Sequence, residues 1–134
     1  MIRTGGCRCG NLRYSVNAEP AVVRLCWCRD CQYWALGSAA VNLVVAREAV
    51  RLEGDATAWE SFAESGRRMR RSFCPKCGTH IFSQCHENTS HMVVRAGSLD
   101  DPDSVTPTAV IWTDSAPPWA YIDPNLHAFS GQPG

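Results

Sequence analysis

No run of apolar residues in this chain approaches the length a helix needs to cross a bilayer, so no membrane span is expected. Nor is there an excess of one charge: 13 Lys and Arg are cancelled by 13 Asp and Glu. That balance argues against nucleic acid or an anionic membrane as the main partner. The first residues, Met1-Ile2-Arg3-Thr4-Gly5-Gly6-Cys7, lack the hydrophobic core of a signal peptide, which makes a cytoplasmic location the expectation. Internal repeats and low-complexity linkers are absent, and 134 residues suffice for one domain with one core. Long helical periodicity is missing as well. What remains is a series of short segments broken by Gly, Pro, Asn and Asp, which reads as an all-β domain of many short strands.

Cysteine is plentiful. Seven of the eight fall into three tight clusters: Cys7 and Cys9; Cys26, Cys28 and Cys31; Cys74 and Cys77. Cys85 is the odd one, expected to be buried as a small hydrophobe. In a reducing compartment this number does not suggest a disulfide framework. Clustering at ligand spacing points to a metal, and all-sulfur donors point to zinc ahead of iron–sulfur or Cu(I). Cys74-Pro75-Lys76-Cys77-Gly78 has the form of a zinc knuckle, with proline pre-setting the turn and glycine relieving the backbone after the second ligand. Its two thiols with Cys7 and Cys9 make a closed four-sulfur site, tying the N-terminus to the second half of the chain. Cys26-Trp27-Cys28-Arg29-Asp30-Cys31 supplies three more thiols, the number that catalytic zinc sites usually take from the protein. A fourth position there is open to water or to a substrate thiol.

Taken in order, strands are expected at Leu12–Val16, Ala21–Leu25, Ala39–Val45, Val50–Glu53, around Trp59 and Phe62, Arg67–Phe73, Thr79–Ser83, His91–Ala96 and Thr108–Trp112. A short helical turn spans residues 29–36, with Asp30 as its N-cap. On the one basic strand, Met69, Arg71 and Phe73 share a face and Arg68 and Arg70 point the other way. Beyond Trp112 the chain reads as an ordered loop pinned by Trp119, Tyr121 and Phe129, with residues 130–134 frayed.

The ordered motifs Gly-x-Cys7-x-Cys9-Gly, Cys26-x-Cys28-x-x-Cys31 and Phe-Cys74-x-x-Cys77-Gly-Thr resemble the glutathione-dependent formaldehyde-activating enzyme family, which includes centromere protein V-like zinc domains. Gly97-Ser98-Leu99-Asp100-Asp101-Pro102 and Pro118-Trp119-Ala120 are similar to it too, so the likeness covers residues 3–122 and leaves 123–134 as a C-terminal tail. The resemblance implies a β-tent fold of short antiparallel strands stapled by a four-cysteine zinc site. It assigns Cys7, Cys9, Cys74 and Cys77 to a structural zinc, and Cys26, Cys28 and Cys31 to a catalytic one. It further implies a carbon–sulfur lyase-type activity, the condensation of formaldehyde with glutathione to S-(hydroxymethyl)glutathione. Trp27 stands where the family usually has His, and Gln32 where a basic residue is common. The chain is also shorter than the formaldehyde-activating members.

Three arginines, Arg24, Arg29 and Arg71, are candidates to hold the carboxylates of a small thiol such as glutathione, because guanidinium forks suit carboxylates. Asp30 is a candidate to move the proton to the new hydroxyl. A rival reading closes the second site with a protein ligand, Cys85 or one of His80, His86, His91 and His127, and makes the chain a non-enzymatic interaction module. A third reading pairs Cys28 with Cys31 as a redox disulfide once the metal is lost.

Overall fold

The computed structural model describes residues 1–133; position 134, the last of the residues expected to fray, lies outside the described range. In chain order the elements are β1 (Arg3–Gly6), β2 (Arg13–Val16), β3 (Val22–Cys26), α1 (Arg29–Trp34), β4 (Ala40–Ala46), β5 (Val50–Glu53), β6 (Thr57–Phe62), β7 (Arg68–Phe73), β8 (His80–Cys85), β9 (His91–Arg95), β10 (Ala109–Ile111) and β11 (His127–Ala128). Short 3-10 turns follow β4, β9 and β10. The all-β reading is borne out.

Two sheets form. A small one has the order β1-β2-β5, and an eight-stranded one runs β11-β10-β3-β4-β9-β8-β7-β6. Most neighbours are antiparallel, but β10 pairs parallel with both β3 and β11. That edge departs from the purely antiparallel expectation. β3 and β10 are far apart in sequence, so the chain can reach this alignment only through a long connection.

The core lies where the small sheet covers one face of the large one. Leu12, Val16, Leu43, Val45, Ile81 and Val94 are almost wholly buried there. The alternation in β2 explains its side of the interface: Tyr14 and Val16 point in while Arg13 points out. Tyr14 meets Phe82 edge-on at 5.3 Å between ring centroids, and its hydroxyl shares a hydrogen bond with Ser98 Oγ at 2.7 Å. β1 crosses this point so closely that a Cβ on Gly5 would collide with the Tyr14 hydroxyl and the Ser98 carbonyl oxygen.

Two local expectations are corrected. Asp30 does not cap α1: the thiol of Cys28 does, accepting from Cys31 N at 3.4 Å. Sulfur takes the cap because Cys28 precedes the first helical residue, whereas Asp30 already lies inside the first turn. Nor do Trp119, Tyr121 and Phe129 pin the C-terminal segment, since all three are exposed. Ala116, Ala120, Ile122 and Leu126 do so instead, packing on Trp27, Ala39 and Val110. Residues 130–132 are tied back to the 3-10 turn after β10: Asp114 N donates to Ser130 O at 3.3 Å and Trp112 Nε1 to Gln132 Oε1 at 3.0 Å.

Candidate metal centres

Cys7 and Cys9 lie in the turn between β1 and β2, and Cys74 and Cys77 in the turn between β7 and β8. All four sulfurs lie within 4.8 Å of one another. Cys9 Sγ is 3.6 Å from Cys7 Sγ and 3.7 Å from Cys74 Sγ. Zinc–sulfur bonds of about 2.3 Å give a tetrahedral edge of about 3.8 Å. Backbone N–H groups point at the sulfurs: Leu12 N donates to Cys7 Sγ at 3.1 Å, and Lys76 N to Cys74 Sγ at 3.3 Å. Such donors favour the thiolate form. The donor set and its spacing fit a tetrahedral soft cation.

Cys26, Cys28 and Cys31 form a second group, again with sulfurs within 4.8 Å of one another. Here all three side chains are buried. Two elements place them. β3 delivers Cys26 at its end, Cys28 caps α1, and Cys31 sits on the first turn of that helix. Ladder bonding to β10 fixes the approach, with Cys26 opposite Ile111 and Trp27 N donating to Ile111 O at 3.0 Å.

Buried together, these thiols cannot all ionise unaided. Hydrogen bonds from Cys26 and Cys28 draw Cys31 down to about 2, with the Arg95 cation adding to the effect. Cys26 is pushed far up because it must stay protonated to donate to the other two. Cys28 gains from its bond with Cys26, but its bond to Cys31 and its burial outweigh that and leave it at about 11. One negative charge is therefore shared among three sulfurs. A divalent cation would remove that restriction, so the chemistry of the donor set fits a bound metal.

The trio lies in the wall of a cleft of about 810 Å³, counting the part open to solvent. Arg24, Arg67, Arg71 and Arg95 also line it. Arg71 is 3% exposed, a buried cation on the basic strand. Its Nη1 donates to Ser61 Oγ at 2.9 Å, Nη2 pairs with Asp30 Oδ2 at 3.3 Å, and the guanidinium lies 4.7 Å over the Trp34 ring. Arg24 Nε and Arg71 Nε are buried without a hydrogen-bond partner. Arg47, the residue just after β4, donates to the carbonyls of Cys85, Asn88 and His91 and so fastens the loop that forms one wall.

Other candidates fall elsewhere. Arg29 does not line the cleft: it is exposed, lies over Tyr33 and donates to Gln32 Oε1. Asp30 is also outside the lining and serves as the partner of Arg71. Trp27 turns away from the sulfurs into the packing beneath the C-terminal segment, because alternate residues of an extended chain face opposite ways. Gln32 is buried and donates to Trp27 O at 2.7 Å and Ser115 O at 3.0 Å, a brace for the cysteine loop. Among the described residues, none of Cys85, His80, His86, His91 or His127 joins the trio's sulfurs. Cys85 is half-buried, lines the cleft and donates to Glu87 Oε2 at 3.2 Å, so it is not the buried hydrophobe expected.

Sequence reasoning missed Asn42, Ser83 and Arg95, three buried polar residues along the cleft. A signal existed. Asn42 interrupts a strand otherwise made of Ala, Val and Leu, and Arg95 ends another that is apolar from Met92 to Val94. Polar residues on an inward-facing register need partners, and here they partner each other.

Among the described residues no helix is long and apolar enough to cross a membrane. A crystal structure of a Rhodobacter sphaeroides protein is similar over 78% of this chain and 91% of that one, at 21% identity and a TM-score of 0.60. At that identity the likeness speaks for the fold. No curated protein gave a significant match. The family model described as glutathione-dependent formaldehyde-activating enzyme matches residues 2–115, which takes in all three cysteine clusters. The chain belongs to that family.

Proposed function

We propose that the protein is a zinc-dependent enzyme of the carbon–sulfur lyase type that makes or breaks the adduct of a small anionic thiol, such as glutathione, with formaldehyde or a similar carbonyl. In this reading Cys7, Cys9, Cys74 and Cys77 hold a structural zinc, and Cys26, Cys28 and Cys31 hold a second one. The observation that carries it is the convergence of three buried sulfurs beside an arginine-lined cleft, with no fourth protein donor near them among the described residues.

Cys26, Cys28 and Cys31 would hold the zinc, which would supply a Lewis-acidic centre favouring the nucleophilic thiolate form of a visiting thiol. The residues of the chain do the rest. Arg24 and Arg71, both in the cleft lining, bind and orient the carboxylates of the thiol. Asp30 holds Arg71 in place. The cleft wall, fastened by Arg47, keeps the reacting carbon beside the sulfur. In the forward direction a carbon–sulfur bond forms, the carbonyl π bond breaks, and the proton of the thiol ends on the new hydroxyl oxygen.

Zinc counting with and without glutathione, paired with an NMR exchange assay between hydrated formaldehyde and the thiol adduct, tests the reading. Two zinc ions per chain and an exchange rate above background are expected. Two ions with no acceleration for any carboxylate-bearing thiol would overturn the enzymatic reading and favour an interaction module.

A further inference from the structure

Arg95 is the most enclosed cation of the cleft apart from Arg71, at 8% exposure. It closes β9 directly opposite Asn42 of β4, so the ladder fixes where its side chain starts. Nε donates to His80 Nδ1 at 3.1 Å, Nη1 to Asn42 Oδ1 at 2.5 Å and Nη2 to Ser83 Oγ at 2.6 Å. Those three acceptors are uncharged. His80 is held neutral by its burial and by the cations Arg95 and Arg71. Among the described residues the ion pairs are Arg3–Glu19, Arg13–Asp100, Arg71–Asp30 and His86–Glu60, so no carboxylate reaches Arg95. Its remaining partner is Cys31 Sγ, at 3.8 Å from Nη1.

A guanidinium withdrawn from water and ringed by neutral acceptors requires a counter-charge. The group it faces provides one. Three thiolates around a divalent cation carry a single negative charge, and Arg95 carries a single positive one. We infer that Arg95 is the fixed counter-ion of the three-cysteine centre, a positioning residue whose charge keeps a cation loaded on only three protein ligands. Asn42, Ser83 and His80 aim the fork. Among the described residues no guanidinium is hydrogen-bonded to a sulfur of the four-cysteine centre: backbone N–H groups point at its buried cysteines, and two exposed cysteines complete it.

The inference rests on the proposed reading that the trio binds a metal, and cobalt titration separates the two. Co²⁺ reports each thiolate centre by its ligand-to-metal absorption, independently of turnover. Wild type should bind two equivalents of Co²⁺. Arg95→Gln keeps hydrogen-bonding capacity but removes the charge. It should retain the four-cysteine centre at wild-type affinity, which also reports that it folds, and bind the second equivalent roughly 10- to 100-fold more weakly. Arg95→Lys keeps the charge and loses the fork geometry, and should restore most of that affinity. Wild type binding one equivalent overturns the metal reading and this inference together. Two equivalents in wild type with unchanged second-site affinity in Arg95→Gln overturns the counter-ion alone. So does a lysine variant that keeps the first centre yet loses the second, because charge would then not be what matters.

Discussion

The two cysteine groups use the same donor atom in opposite settings. The four-cysteine group sits in two turns at the surface, with Cys9 and Cys77 exposed, and joins β-turns far apart in sequence. The three-cysteine group is buried throughout, sits on a strand end and a helix start, and has a guanidinium against one sulfur. On the proposed reading, burial does not separate scaffold from chemistry in the usual direction: the four-sulfur group is the more exposed of the two. What separates them is donor count and neighbouring charge. Four thiolates complete a tetrahedron and need only N–H donors, whereas three leave a position open and need outside help to stay ionised.

That contrast breaks most sharply on removing one sulfur from each. Cys74→Ser would leave the proposed structural cation with three donors and release the link between the β1–β2 and β7–β8 turns. Structural zinc can contribute on the order of 10 kcal/mol, so the variant should lack a cooperative thermal transition by circular dichroism. Cys31→Ser should keep such a transition, displaced by an amount typical of a single buried polar change, roughly 1–3 kcal/mol. It should also lose the second equivalent of metal and all acceleration of thiol–formaldehyde exchange. A folded Cys74→Ser protein, or an unfolded Cys31→Ser one, would erase the distinction between the two groups.

The arginines sharpen the comparison at the level of substrate. Arg24→Gln and Arg71→Gln should each raise KM for a carboxylate-bearing thiol, by roughly 10- to 100-fold if one charge-assisted hydrogen bond is lost. Arg29→Gln should leave KM where it was, because Arg29 is engaged with Gln32 and Tyr33 outside the cleft. Steady-state kinetics on the three variants, each checked for its melting transition, decide this. A KM effect confined to Arg29 would move the anion site off the cleft.

The convergence of the cysteine sulfurs was legible from spacing alone. Cys-x-Cys and Cys-x-x-Cys bring sulfurs together through local turns, so Cys26, Cys28 and Cys31 converge without reference to the rest of the fold. Strand alternation worked for β2 and β4 for the same local reason. Features set by long-range pairing were not legible. The parallel alignment of β10 with β3 depends on where a long connection returns, and nothing in Ala109-Val110-Ile111 announces it. The buried state of Arg71 depends on Asp30 and Trp34, both distant in sequence. Arg24 and Arg29, equally plausible as sequence, were separated only by which face of the fold each occupies. Which residue caps α1 depends on where β3 releases the chain: the helix starts at Arg29, so the cap falls to Cys28 and not to Asp30.

The smallest expected effect concerns the imidazole behind Arg95. His80 stacks on Trp34 at 4.9 Å, and burial, then the cations Arg95 and Arg71, hold its pKa down to about 3 from an ordinary 6.5. The unfolded chain protonates this residue below about 6.5, while the folded chain resists until about 3. Between those values the unfolded state binds the extra proton, so folding stability rises with pH across the window. The contribution of a neutral His80 is full above about 6.5 and drains away on acidification. His80→Asn keeps an acceptor for Arg95 and cannot take up a proton. Melting temperatures at pH 7.5 and pH 5 should therefore fall further for wild type than for the variant. Cysteine ligands also take up protons on acidification, but that loss is common to both proteins and cancels in the comparison. Equal falls would mean that the imidazole protonates as readily in the fold as outside it, and that the wall behind the three-cysteine centre is open to water.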